Sequence, residues 1–458
     1  MLPKEITDYL AANRSRHMEE LFELLRYPSV SSQSERKADS LACAERVAGH
    51  LRDLGFEAEL RPWRQRPVLI ARSRAAAGSD RTVLLYGHYD VQPPEPLEQW
   101  DSPPFEPTIR DGAIYARGAN DDKGQFFAHV KAVEAFVRAG GGLPLNVVFL
   151  IEGEEEIGSP ELEKFVADNA ADLRADYAVV SDSEFFAAGV PSITYGLRGL
   201  AYLELTLTGP AGDLHSGLHG GPVVNPLNAL ARMIAAMHDE AGRVTLGGFY
   251  DDVLPLTETE REAWAKLPFD ESAYAATIGA DLAGGEAGRS VLERRWARPT
   301  LDVNGIVGGY QGEGAKTVIP SAATAKVSMR LVPNQRPEKV VAAFRKWVAE
   351  NTPAGVRAEV KVSAEARPVL VGPEIPAMAA AREALAEAFG GEVAMIRNGA
   401  SVPITELIQR VLGVEPILMG FGLPDDNLHA PNEHFAVEQF ERGTVASAAM
   451  LYNLARLV

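Results

Sequence analysis

Four short segments of this chain concentrate the residue types that bind cations or move protons. Tyr86-Gly87-His88-Tyr89-Asp90 closes one apolar run, Glu152-Gly153-Glu154-Glu155-Glu156 a second and Ser181-Asp182-Ser183 a third, while Gly118-Ala119-Asn120-Asp121-Asp122-Lys123-Gly124 opens a helical stretch. If the runs are parallel strands, their carboxyl ends deliver these side chains to one edge of one sheet, where α/β proteins place their ligands. Imidazole and carboxylate together suit Zn2+ or Mn2+. Singly, each segment has an ordinary explanation: a hydrogen-bonded pair for His88 and Asp90, a helix cap for Asp121-Asp122, a solvated face for the glutamates, a turn for Asp182. Their joint occurrence at strand ends favours a shared cation site.

The elements that must position them follow from hydrophobic spacing. Residues 16–27 and 34–55 read as amphipathic helices, the second with Leu41, Ala44, Val47, Leu51 and Leu54 at helical intervals. Strands are expected at 68–71, 82–86, 145–151 and 177–180, with a helix at 123–139. The run Leu145–Ile151 is almost wholly apolar, as a strand buried on both faces requires. This alternation predicts an α/β fold with a mostly parallel sheet flanked by helices. Near Gly199 the pattern changes. An alternating strand at 201–208, a helix at 225–238, a long irregular insert at about 240–300, a strand at 322–331, a helix at 337–351 and a strand at 356–362 suggest a β-α-β-β-α-β, ferredoxin-like α+β unit. The α/β character resumes from about 370, with a helix at 377–389, a strand near 416–419 and a last helix after Glu438. Three sequential domains would fit; a sheet domain made of 1–198 and 370–458, interrupted by a lid at 199–369, fits better.

Charge narrows the function. Across 458 residues, 45 Lys and Arg stand against 63 Asp and Glu, a net −18. This opposes nucleic acid, an anionic membrane or a polyanionic substrate, all of which need clustered cations. No window approaches the roughly 18 apolar residues of a membrane span. The opening Met1-Leu2-Pro3-Lys4-Glu5 turns polar at once, without the apolar stretch of a secretory signal, and the lone Cys43 suits a reducing compartment. A cytoplasmic location is expected.

Taken together, Gly-His-Tyr-Asp-Val-Gln-Pro (87–93), Arg-Gly-Ala-Asn-Asp-Asp-Lys-Gly (117–124) and Glu-Gly-Glu-Glu-Glu-Ile-Gly-Ser (152–159) resemble the co-catalytic zinc metallopeptidases, the family of aminoacylase, bacterial glutamate carboxypeptidase and carnosinase. Asp213-Leu214-His215-Ser216-Gly217, Gly314-Ala315-Lys316-Thr317-Val318-Ile319-Pro320 and Trp100-Asp101-Ser102-Pro103-Pro104-Phe105 are similar to the carnosinase and cytosolic non-specific dipeptidase branch. The resemblance implies hydrolysis of the peptide bond of dipeptides or short peptides by a hydroxide bridging two divalent ions per subunit, Zn2+ first and Mn2+ second. His88 and Asp182 would hold one ion, Glu156 and His429 the other, and Asp121 would bridge them. Glu155 would be the general base and Asp90 would orient His88. The resemblance also implies a cis peptide at Asp121-Asp122, and a homodimer in which His215 reaches the partner's site and stabilises the oxyanion. Arg330 and Ser401 would grip the substrate. Two divalent cations against three carboxylates and one hydroxide give a neutral core.

Two departures stand out. Glu154 makes a third consecutive glutamate, which opens a one-place shift of base and ligand, although Gly158-Ser159 favours the stated register. The approach Pro424-Asp425-Asp426-Asn427-Leu428 to His429 is only loosely like that of the family. His17, His129 and His434 lack motif support and are expected at the surface or in packing. An N-acyl-amino-acid deacylase would use the same ligands, and a non-catalytic binding protein could retain the fold.

Overall fold

The structure, a computed structural model, describes residues 1–76 and 79–457. The chain separates into two units, Met1–Tyr195 with Val371–Ile396 and Val402–Val458, and Gly196–Leu370 with Arg397–Ser401. Ser401 therefore belongs to the smaller unit. Among the described residues no helix is long and apolar enough to cross a membrane.

The larger unit is built on a sheet in the order Glu57–Arg61, Val68–Ser73, Asn146–Glu152, Thr82–His88, Tyr177–Val180, Pro416–Leu418, Ser192–Leu197. The four strands from Asn146–Glu152 to Pro416–Leu418 are mutually parallel, and the flanking ones antiparallel. Parallel strands need cover on both faces, and their near-continuous Val, Leu and Ile content meets that need. Leu84, Tyr86, Val148, Leu150, Ala178 and Val180 pack against Leu162, Phe165, Ile404 and Leu407 on one face. Helix Lys123–Arg138 lies on Thr82–His88, and Val437–Leu454 packs against that helix. The fit is close enough to dictate a glycine. A Cβ on Gly87 would come within 2.4 Å of Phe126 Cβ, so the residue before His88 must lack a side chain.

The smaller unit holds a four-stranded antiparallel sheet, ordered Thr300–Gly308, Ala322–Leu331, Gly199–Thr208, Arg357–Ala366. With helices Pro226–Ala236 and Pro337–Asn351 it has the β-α-β-β-α-β connectivity expected. Every second residue of Gly199–Thr208 is buried, which places Leu203, Leu205 and Leu207 with Phe344 and Trp347 in one core.

Some local expectations needed correction. The helix expected at 16–27 runs Arg14–Leu25, and a further helix, Lys4–Ala12, precedes it and meets it at Asn13. The insert at 240–300 is not irregular throughout: it contains helices Glu258–Ala265, Glu271–Ile278 and Val291–Trp296. Two of them begin with reciprocal capping boxes, Thr257 with Glu260 and Ser290 with Glu293. Each is too short to display a long apolar periodicity, so the signal lay in its cap.

Candidate active site

The carboxyl ends of the parallel strands carry the chemistry. His88 is the last residue of its strand, Glu152 the last of its own, and Asp182 lies two residues past Val180. Asp121 directly precedes Asp122, the N-cap of helix Lys123–Arg138, and the peptide joining the two is cis. His429 arrives from the loop after Pro416–Leu418.

These side chains form two overlapping groups, His88 with Asp121 and Asp182, and Asp121 with Glu156 and His429; within each, the candidate ligand atoms lie within 4.8 Å of one another. Asp121 belongs to both. Its Oδ1 is 3.1 Å from His88 Nε2 and its Oδ2 is 3.0 Å from His429 Nε2. Asp182 Oδ2 stands 3.9 Å from His88 Nε2, and Glu156 Oε2 stands 3.3 Å from His429 Nε2.

The surroundings fix the direction of each group. His88 Nδ1 faces the Asp90 carbonyl at 3.1 Å and the Asp90 carboxylate at 3.4 Å, so a proton held on Nδ1 would leave the Nε2 lone pair to a cation. Asp90 is fully buried and accepts the backbone N–H groups of Glu155 at 3.2 Å and Glu156 at 3.1 Å. One carboxylate thus ties the His88 strand to the glutamate turn. Gln92 Nε2 donates to Glu156 Oε2 at 2.8 Å. Glu154 points elsewhere: its Oε1 accepts the Gln65 N–H and its Oε2 lies 3.5 Å from Arg64 Nε. Glu156, not Glu154, therefore faces His429. Gly158, at φ 85, closes the turn in a conformation that favours glycine.

A cation fits this set. His88 Nε2 is buried and lacks an adequate hydrogen bond. Burial, followed by the charge of Asp121, pushes the Asp182 carboxyl up to about 7. Burial also raises Glu156, with Asp121 adding to it, and holds Glu155 well above the usual carboxylate range, with Asp182, Asp121 and Glu156 contributing. Hydrogen bonds to Asp121 and Glu156 lift His429 to about 10. Burial opposes the charging of His88, yet Asp121 and Asp90 outweigh it and raise the imidazole. Asp121 goes the other way: burial would raise it, but hydrogen bonds to His429 and His88 outweigh burial and hold it below the usual carboxylate range. The other carboxylates and both imidazoles hold protons tightly, as expected of a site short of positive charge. Divalent ions would supply that charge and reverse these shifts.

In the smaller unit, Arg330 Nη1 donates to Ser401 Oγ at 3.2 Å, and Ser401 Oγ donates to the Arg198 carbonyl. Arg198, which no motif flagged, sits beside them; burial and then the charge of Arg330 lower its guanidinium to about 10. His215 is exposed, ends the short strand Leu214–His215 and accepts the Gly217 N–H through Nδ1 at 3.0 Å. Among the remaining histidines, His129 is buried between Ser447 and Ser181, His17 is buried against Glu134, and His434 stacks on Tyr115.

Residues 84–453 match Peptidase family M20/M25/M40. The chain belongs to this family. It is 30% identical over 460 residues to a Cys-Gly metallodipeptidase of Candida albicans, covering 95% of this chain and 94% of the relative. It is 33% identical to the Beta-Ala-His dipeptidase of Homo sapiens, over 85% of this chain and 78% of that one. An M20 family metallo-carboxypeptidase from Sulfolobus solfataricus superposes with a TM-score of 0.86 at 33% identity, covering 96% and 99% of the two chains. As an M20 peptidase the chain is a hydrolase, and its His, Asp and Glu groups can hold metal ions.

Sequence reasoning missed Glu433. This carboxylate accepts four hydrogen bonds from residues 117–121, including the Asp121 N–H at 3.2 Å. No local motif marks it.

Proposed function

We propose that this M20 peptidase hydrolyses the peptide bond of dipeptides or very short peptides at a pair of divalent metal ions, with Glu155 as general base. The observation that carries this is the shared carboxylate: Asp121 faces His88 with one oxygen and His429 with the other. His88 and Asp182 would hold one ion, Glu156 and His429 the second, with Asp121 common to both. Imidazole with carboxylate favours Zn2+, with Mn2+ as the alternative. Bound there, the ions would acidify water and offset charge developing on the scissile carbonyl oxygen.

The rest falls to the chain's own groups. Asp90 holds the His88 tautomer and, through two backbone N–H groups, the turn that presents Glu155. Glu155 takes a proton from the attacking water and returns it to the leaving amine. Arg330, with Ser401 beside it and the Arg198 charge near it, supplies a cationic seat for the peptide's terminal carboxylate. A dimer is part of the proposal. The edge strand Thr300–Gly308 exposes Ile306 at 48% and Val307 at 61%, and an unpaired apolar edge suits a second copy of the chain. His215 of each copy would then reach the other's centre and help hold the oxyanion. The lone, buried Cys43 fits a reducing, cytoplasmic setting.

The test compares wild type with Glu155→Gln on Ala-Ala, Gly-Leu and N-acetyl amino acids, with metal content measured on the same samples. Turnover of the dipeptides should fall by about 10²- to 10⁴-fold with two ions retained. Unchanged turnover would defeat the assignment of Glu155, and preference for the N-acetyl compounds would move the activity to deacylation.

A further inference from the structure

We infer that Glu433 is a positioning residue that locks the Asp121 loop to the His429 loop and so sets the geometry of the cation site those two residues share with Glu156; this rests on the metallopeptidase reading above. Glu433 is completely buried. Its Oε2 accepts Arg117 Nη1 at 2.7 Å and the Gly118 N–H at 3.0 Å, and its Oε1 accepts the Asn120 N–H at 3.1 Å and the Asp121 N–H at 3.2 Å. Its own carbonyl accepts the Ala116 N–H at 3.2 Å. One side chain thus gathers most of the donors of 117–121 onto a segment that carries His429 four residues upstream.

That segment needs an outside hold. Asn427, His429 and Asn432 adopt φ values of 54°, 60° and 61°, the left-handed region that residues with side chains rarely occupy. Strain of this kind persists only where surrounding contacts over-determine the backbone. A further tie between the loops is Asn120 Nδ2 donating to Asp426 Oδ2 at 2.8 Å. Glu433 works through backbone N–H groups and Arg117, so it acts on Asp121 by placing it. A counter-ion for Arg117 would need only charge; a positioning residue needs charge and reach together.

The experiment titrates metal-free wild type, Glu433→Gln and Glu433→Asp with Zn2+, counting ions per chain and their affinities by equilibrium dialysis with elemental analysis. Circular dichroism and melting temperature are read on the same metal-free samples. Wild type should bind two ions. Glu433→Gln should bind the ion held by Glu156 and His429 about 10- to 100-fold more weakly, with a smaller loss at the other ion through the shared Asp121, while the folded fraction is unchanged. Glu433→Asp should show the same selective loss, because the shortened side chain keeps its charge but not its reach. If Glu433→Gln does not fold, Arg117→Met/Glu433→Gln, which leaves no buried charge unpaired, replaces it with the same expectation. Two ions at wild-type affinity in Glu433→Gln, or full restoration by Glu433→Asp, would overturn the positioning role while leaving the metal centre intact. Fewer than two ions in wild type would instead overturn the metallopeptidase reading and this inference with it.

Discussion

Asp90→Asn tests how far the site depends on a residue that holds no metal itself. The wild-type carboxylate accepts the N–H groups of Glu155 at 3.2 Å and Glu156 at 3.1 Å and lies 3.4 Å from His88 Nδ1. An asparagine has one acceptor oxygen in place of two, so its amide NH2 must face at least one backbone N–H. The substitution removes about one charge-assisted hydrogen bond, on the order of 1.5–3 kcal/mol, and weakens the pull on the imidazole. Because Asp90 is fully buried, water cannot replace what is lost. A net loss of about 2–3 kcal/mol corresponds to a fall of about 30- to 150-fold. The assay is kcat/KM on a dipeptide at saturating metal, with metal affinity measured in parallel. Both should fall, since Asp90 aligns a proposed ligand and the turn that bears the proposed base. Activity and affinity within threefold of wild type would refute this reasoning.

Other expectations follow from the same geometry. His129, buried with its Nε2 2.7 Å from Ser181 Oγ, is held by burial at about 3, against an ordinary value of 6.5. Its unfolded form takes up a proton that the folded form refuses, so its contribution is complete above pH 6.5 and is lost as pH falls toward 3. A His129→Gln variant should show a ΔG of unfolding that declines less steeply between pH 6 and pH 4, by about 1.4 kcal/mol per pH unit; parallel curves would contradict the assignment. Val307→Lys on the exposed edge strand should shift sedimentation from dimer to monomer and lower turnover, and an unchanged dimer would remove that edge from the interface. Phe344→Ala, in the core of the smaller unit, should destabilise it by about 3–5 kcal/mol in denaturant titration, and a loss below 1 kcal/mol would place the core elsewhere.

Much of this molecule was legible because its signals are local. The strands Tyr177–Val180 and Ala322–Leu331 and the helix Pro337–Asn351 fall where apolar spacing put them, because burial on one or both faces leaves a direct imprint on composition. The segments around His88, Asp121, Glu156 and Asp182 could be read because each ends a strand or begins a helix, and parallel topology sends such ends to one edge. What stayed hidden depends on distance along the chain. Glu433 looks like any glutamate until it is seen to accept the N–H of Asp121, 312 residues away. Arg198 gains meaning only beside Arg330, whose strand pairs with Gly199–Thr208, the strand that starts just after Arg198. The helices within 240–300 were obscured for a different reason: six or eight residues hold too few turns for a periodic stripe, and their N-caps, two capping boxes and Asp270, identify them better than hydrophobicity does.

The most direct test of the metal centre is a crystal structure of protein reloaded with Zn2+, with anomalous scattering recorded at the zinc edge. Two peaks per chain should appear, one between His88 and Asp182 and the other between Glu156 and His429, with Asp121 touching both. A single peak, or peaks away from Asp121, would contradict the shared carboxylate on which the proposed chemistry depends.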